Sequence, residues 1–200
     1  MRKIILLLLA VCTVQCLPSY SEEGERPWYL EADASYFSKY VWRGLNIKDD
    51  HVFQPSFTLG YKDFSATLFG SMDLTNVSEE ALGQDVSYEF TEVDISLDWY
   101  HEWEYVTGMG GIVHFVYPNT GERHTTELYA GVTWNTLLSP TVTLYWDVDT
   151  VSRSLYTEFS LSHSFEGLWN YNEHTYINLD LTGMLGHGNS EHNNYNYGGD

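Results

Sequence analysis

Ten carboxylates, Glu31, Asp33, Asp73, Glu92, Asp94, Asp98, Glu127, Asp147, Glu158 and Asp180, and two cations, Lys39 and Arg43, occupy polar positions in segments where apolar and polar residues alternate. Alternate side chains of an extended strand project to the same face. If the strands close around a space, these twelve groups line it. A water-filled lumen so lined attracts cations and repels anions. In a narrow barrel the same groups would instead knit the interior shut, with Arg43 bridging two or more carboxylates to hold register. Arg43 is the side chain to single out in either case, because a guanidinium spans carboxylates bidentately where the ammonium of Lys39 cannot.

Other groupings are weaker. Ser160, Ser162, His163 and Glu158 are close in sequence, but alternation sets His163 on the opposite face from the serines and the glutamate, which defeats a nucleophile–base relay. His187, Glu191 and His192 could be written as a metal site, yet Gly188, Asn189, Asn193 and Asn194 around them describe a polar loop. Glu79, Glu80, Asp85 and Glu89 could hold a divalent cation near lipopolysaccharide, and equally form a solvated acidic loop. No glycine-rich phosphate loop, nucleotide fingerprint or paired-cysteine metal motif is present. The expectation is a protein that is not an enzyme, with no catalytic, cofactor-binding or metal-ligating residues.

The elements that must position these groups are strands. Leu30, Ala32, Ala34, Tyr36, Tyr40 and Trp42 alternate with Glu31, Asp33, Ser35, Lys39 and Arg43. Phe53 to Tyr61, Phe64 to Asp73, Glu92 to Trp99, Glu127 to Trp134, Thr141 to Asp147, Leu155 to Phe165 and Ile177 to Leu185 repeat the pattern. Tyr105 to Tyr117, glycine-rich at Gly108, Gly110 and Gly111, is ragged but also read as a strand. That makes about nine strands of about ten residues, the length a tilted strand needs to cross a bilayer, and no helical period competes. Tyr61–Asp63, His101–Glu104 and Asn135–Pro140 are short connections. Thr75–Glu89, Tyr117–Thr125 and Gly186 onward are longer and more polar. Outer-membrane barrels show this asymmetry of turns and loops. Asp149–Ser152 is short where a loop is expected, and Glu166–His174 long where a turn is expected.

The chain begins Met-Arg-Lys, continues through apolar Ile4–Val11 and meets Pro18-Ser19-Tyr20-Ser21, the pattern of a secretory signal peptide over residues 1–21 ahead of one domain over 22–200. Both cysteines, Cys12 and Cys16, fall inside that leader, so a disulfide scaffold is excluded. The 28 Asp+Glu against 9 Lys+Arg make nucleic acid an improbable partner, the more so because Arg2 and Lys3 leave with the leader.

An alternating all-β chain is either a membrane barrel or a soluble sandwich. Lysine is scarce on the polar faces, and aromatics are 16% of the chain, many at strand ends, among them Trp28, Trp42, Trp99, Trp103, Trp134 and Trp146. Aromatics so placed form the girdles at membrane interfaces, which favours an antiparallel transmembrane β-barrel. The segments SKYVWRGL, FQPSFTLGYKDF, ELYAGVTWNTLLSPTVTLYWDVD and LYTEFSLSHSF resemble the TorF-type porins, a bacterial family also catalogued as a conserved domain of unknown function. The likeness runs from about Ala34 to Gly186 and is strongest in Tyr40-Val41-Trp42-Arg43-Gly44 and the Gln54-Pro55 strand. It implies an outer-membrane β-barrel in contact with outer-membrane lipid, lipopolysaccharide and the barrel-assembly machinery. It transfers no catalytic residue. Such barrels finish on a strand with a terminal aromatic, whereas this sequence stops at Tyr195–Asp200, so a C-terminally truncated barrel of ten to twelve strands is expected. The functional expectation is a porin for small, preferentially cationic solutes. The alternatives are a closed structural barrel without a pore and a secreted β-sandwich that binds glycans through exposed aromatics.

Overall fold

The computed structural model describes residues 27–172 and 175–198; the expected leader, residues 1–21 with Cys12 and Cys16, lies outside them. Nine strands form one antiparallel sheet: β1 (Trp28–Phe37), β4 (Val52–Tyr61), β5 (Phe64–Asp73), β6 (Phe90–Glu102), β7 (Val106–Val116), β8 (Thr125–Trp134), β9 (Thr141–Asp147), β10 (Leu155–Asn172) and β11 (Thr175–Gly188), paired in that order. Between β1 and β4 the chain makes a separate hairpin, β2 (Tyr40–Trp42) and β3 (Leu45–Lys48). Two short helices complete the described residues, α1 (Glu79–Leu82) and α2 (Ser190–Tyr197). Among the described residues the fold is therefore all-β, one nine-stranded antiparallel sheet accompanied by the two-stranded hairpin. Among the described residues β1 and β11 do not pair, so the sheet is open at its edges. No helix among them is long and apolar enough to cross a membrane.

The registers sort the side chains into two faces. One row runs Leu30, Leu59, Ala66, Leu97, Ile112, Leu128, Trp146, Leu155 from β1 to β10, each residue directly opposite the next. It is apolar throughout, and its large members are exposed. A row of Trp28, Tyr61, Phe64 and Trp99 bounds it at the tight-turn end, and one of Tyr36, Phe53, Met72 and Phe90 at the loop end. Trp28 and Tyr36 are eight residues apart, about 27 Å along a strand, or about 20 Å across the band at the usual barrel tilt. The opposite face carries Asp33, Ser56, Phe69, Asp94, Phe115 and Thr125 in the equivalent row. By the same registers all ten carboxylates share that polar face.

Glycine keeps β7 regular in spite of its ragged pattern. A Cβ on Gly111 would stand 2.6 Å from the Leu97 carbonyl oxygen and 2.7 Å from the ring of Tyr129, its cross-strand partner. The tyrosine ring lies over the bare glycine backbone and replaces the side chain that the strand lacks.

Three expectations need correction. The first strand ends at Phe37, not at Trp42-Arg43: the chain leaves the sheet at Ser38 and turns back at Arg43 and Gly44, both at positive φ (48° and 81°), the two-residue hairpin geometry. Tyr40 and Trp42 thus leave the apolar face of β1. The supposed connection Glu166–His174 is mostly strand, since β10 runs on to Asn172 and pairs with β11 across register shifts, with Gly167 at φ 60° where the period breaks. The polar tail after Gly188 is helical, because the Asn189 side chain caps α2 by accepting from the His192 N–H at 3.0 Å.

Candidate functional site

The β2–β3 hairpin lies against the polar face. Side chains of β5, β6, β7, β8, β9 and β10 meet it, strands that would spread over about 24 Å if flat, and the sheet curls around it with this face concave. At its tip Arg43 donates to Glu127 through both terminal nitrogens, Nη1 to Oε1 and Nη2 to Oε2, each at 2.7 Å. The two side chains are 7% and 6% exposed. The guanidinium also stacks on Trp42, Tyr145 and Tyr156, with its carbon 4.3, 4.3 and 4.7 Å from the ring centroids. A non-glycine residue at φ 48° is strained by ~1 kcal/mol, and these contacts hold it there.

The rest of the hairpin is fastened on both sides. Lys48 pairs with buried Asp73 on β5 and donates to Ser78 beside α1. Trp42 meets Phe115 of β7 edge-on, with centroids 6.5 Å apart. The Tyr40 hydroxyl lies against Glu92 of β6. From the far end of the chain, Tyr197 of α2 donates its hydroxyl to the Arg43 carbonyl at 2.6 Å. The Asn189 side chain ties α2 to the start of β10, accepting from the Leu155 N–H and donating to the Arg153 carbonyl. His192, fully buried against Trp42 and Tyr156, shares a 3.1 Å hydrogen bond with Ser154. Burial, and then the nearby Arg43 charge, push its imidazole down to about 4.

The twelve singled-out residues divide accordingly. Arg43, Asp73, Glu92, Asp94, Glu127 and Asp147 gather at the hairpin end. Asp147 is spent locally, accepting from Thr125 and from the N–H groups of Asp149 and Val151. Asp98 lies nearer the tight turns and accepts from Tyr129 at 2.5 Å and Ser96 at 2.6 Å. Asp33 accepts from its neighbour Ser35. Glu31, Asp180 and Glu158 lie on the same face outside the plug's ion pairs. Lys39 is corrected: it belongs to no sheet strand and pairs with exposed Asp49 across the base of the hairpin, whose carboxyl it holds below the usual range.

His187 is exposed on β11 while His192 is buried in α2, so the two histidines do not converge. His163 donates from Nδ1 to the Leu137 carbonyl, turned away from Ser160, Ser162 and Glu158. Glu79 and Glu80 lie on α1, while Asp85 accepts from Ser87, which lowers its carboxyl below the usual range. Among the described residues no group of three or more His, Cys, Asp or Glu converges on a point where a metal would sit.

Between the hairpin, α1, α2 and the loop ends of β5 to β9 lies a cavity of about 560 Å³. Tyr40, Trp42, Phe115, Tyr117 and Tyr195 give it aromatic walls, and Glu92 is among its carboxylates, with Lys48 and Arg123 as its cations. Sequence reasoning missed the inward hairpin and this cavity, although Arg43-Gly44 between two alternating segments is a hairpin signal. No family model, curated protein or solved structure matches the chain, so the likeness to TorF-type porins rests on the quoted segments alone.

Proposed function

We propose that the chain is an outer-membrane β-barrel protein whose lumen is held shut by its own β2–β3 hairpin, so that any passage is confined to small cations. The observation that carries this reading is the sorting of faces: apolar rows bounded by aromatic rows on the convex side, all ten carboxylates on the concave side. A soluble protein gains nothing by exposing a continuous band of leucine, isoleucine and aromatic residues, whereas lipid requires one. The occluded state follows from the buried Arg43–Glu127 pair and its three aromatic partners, which make the hairpin a fixed part of the interior. The cation preference follows from the carboxylates that no cation pairs with among the described residues, Asp94 and Asp98 among them.

Fractionation together with heat-modifiable migration on a denaturing gel tests insertion; a mature protein recovered soluble from the periplasm contradicts it. Planar-bilayer recording tests occlusion. The expected trace is near silence, with rare cation-selective openings whose selectivity falls as salt rises and the screening length drops from ~10 Å at 0.1 M to ~3 Å at 1 M. Replacing Asp94 and Asp98 by asparagine should weaken that selectivity. A steady, unselective open conductance contradicts the plugged reading.

A further inference from the structure

We propose that the cavity at the loop end is a binding site for a small organic ammonium ion. Three independent features point to that ligand chemistry. The first is uncompensated charge inside a walled space. Glu92 lines the cavity, is 7% exposed, and has no cation within ion-pair distance among the described residues. Asp94, two residues on and on the same face of β6 though not itself on the cavity wall, has a buried Oδ1 with no hydrogen-bond partner. Lys48 and Arg43 are already committed to Asp73 and Glu127, and Arg123, the other cation on the cavity wall, is not within ion-pair distance of Glu92. A buried carboxylate without a counter-charge favours a cation that can come to it.

The second feature is the wall. Tyr40, Trp42, Phe115, Tyr117 and Tyr195 present ring surface to the same space, and rings attract a weakly hydrated alkylammonium far better than a small, strongly hydrated metal ion. The third is a precedent within the molecule. One residue from Trp42, the guanidinium of Arg43 is an organic cation held by three rings and one carboxylate, and the cavity repeats that combination of rings and carboxylate at Glu92, with which no side-chain cation pairs among the described residues. The volume of about 560 Å³ suits a ligand of amine size with room for water.

The inference goes beyond the barrel reading and can fail separately, because binding is measured on folded protein in detergent whereas insertion is measured in membranes. Calorimetric titration of the full chain, its fold verified by heat-modifiable migration, uses choline and its uncharged isostere 3,3-dimethyl-1-butanol as probes. Choline should bind saturably at a dissociation constant of about 1 mM or tighter, and the isostere at least tenfold more weakly. Glu92→Gln should weaken choline at least tenfold, while Glu104→Gln, at the opposite end of the sheet, should leave it unchanged. Equal binding of choline and the isostere overturns the proposal, as does absence of saturation by choline at about 10 mM. Both outcomes are read on the unaltered chain and hold even if Glu92→Gln does not fold.

Discussion

Replacing Arg43 by alanine should release the β2–β3 hairpin from the sheet while leaving the sheet itself formed. The substitution strands the Glu127 carboxylate, 6% exposed, with no cation beside it, and removing one partner of such a buried pair costs about 3–5 kcal/mol. Alanine at position 43 keeps a Cβ and hence the strain of φ 48°, so no relief offsets that loss. At about 1.4 kcal/mol per factor of ten, the undocked hairpin should become about a hundred- to several-thousand-fold more populated. Hydrogen exchange of peptides covering residues 40–48 reads this directly: the variant should exchange faster by that factor, with β6 to β8 unchanged. Planar-bilayer recordings of the same variant should show longer and more frequent openings. Arg43→Lys should fall between the two, since an ammonium keeps the charge but loses the second hydrogen bond and the ring stacking. Adding Glu127→Gln to Arg43→Ala should recover a large part of the loss, because the stranded charge is gone. Unchanged exchange in Arg43→Ala, or a coupling below about 0.5 kcal/mol in the double-mutant cycle, would refute the assignment of Arg43–Glu127 as the fastening of the plug.

Further predictions address the faces, the turn-end packing and the pH response. Ile95→Lys on the convex face should cost ~2–4 kcal/mol of insertion stability, whereas Ser96→Lys on the concave face should be tolerated; urea unfolding from lipid vesicles measures both, and equal costs would reverse the face assignment. Gly111→Val should destabilise the sheet by about 1–3 kcal/mol, read as a lower midpoint for loss of heat-modifiable migration, because its side chain meets the Leu97 carbonyl and the Tyr129 ring. His192, whose folded value is lowered to about 4 against an unfolded value near 6.5, favours α2 docking fully above pH ~6.5 and loses that contribution as pH falls toward 4. Exchange at residues 190–197 should rise over that window in the unaltered chain and be flat with pH in His192→Gln.

The strands were legible because the period of two is written directly in residues such as Leu30, Ala32 and Ala34 against Glu31, Asp33 and Ser35. The same alternation put every one of the ten carboxylates on the polar face. What alternation cannot reveal is where a strand leaves its sheet. Tyr40 and Trp42 fall on the same alternate positions as the apolar residues of β1, yet they leave its sheet, because the turn at Arg43-Gly44 sets Tyr40, Val41 and Trp42 opposite Lys48, Asn46 and Leu45 rather than opposite β4. The β10–β11 end was obscured for the opposite reason: bulges near Gly167 shift the phase and erase the pattern while pairing continues. Helix α2 carries no apolar stripe, and its existence depends on one cap at Asn189 and on contacts with Arg43 and Tyr156 that lie far away in sequence. The hairpin plug itself is a product of long-range partners: Arg43 and Glu127 are separated by 84 positions, and no local pattern couples them.

The most direct measurement of the central claim is quenching of a fluorophore placed by cysteine substitution at each position from 93 to 99 in turn, in a chain lacking Cys12 and Cys16 and reconstituted into vesicles. Quenchers carried on lipid tails should reach labels at 93, 95, 97 and 99 and spare those at 94, 96 and 98, giving a period of two in phase with the convex face. Lipid-borne quenching that is absent at every position, or equal at Ile95 and Ser96, would contradict a sheet embedded with its apolar face in the bilayer.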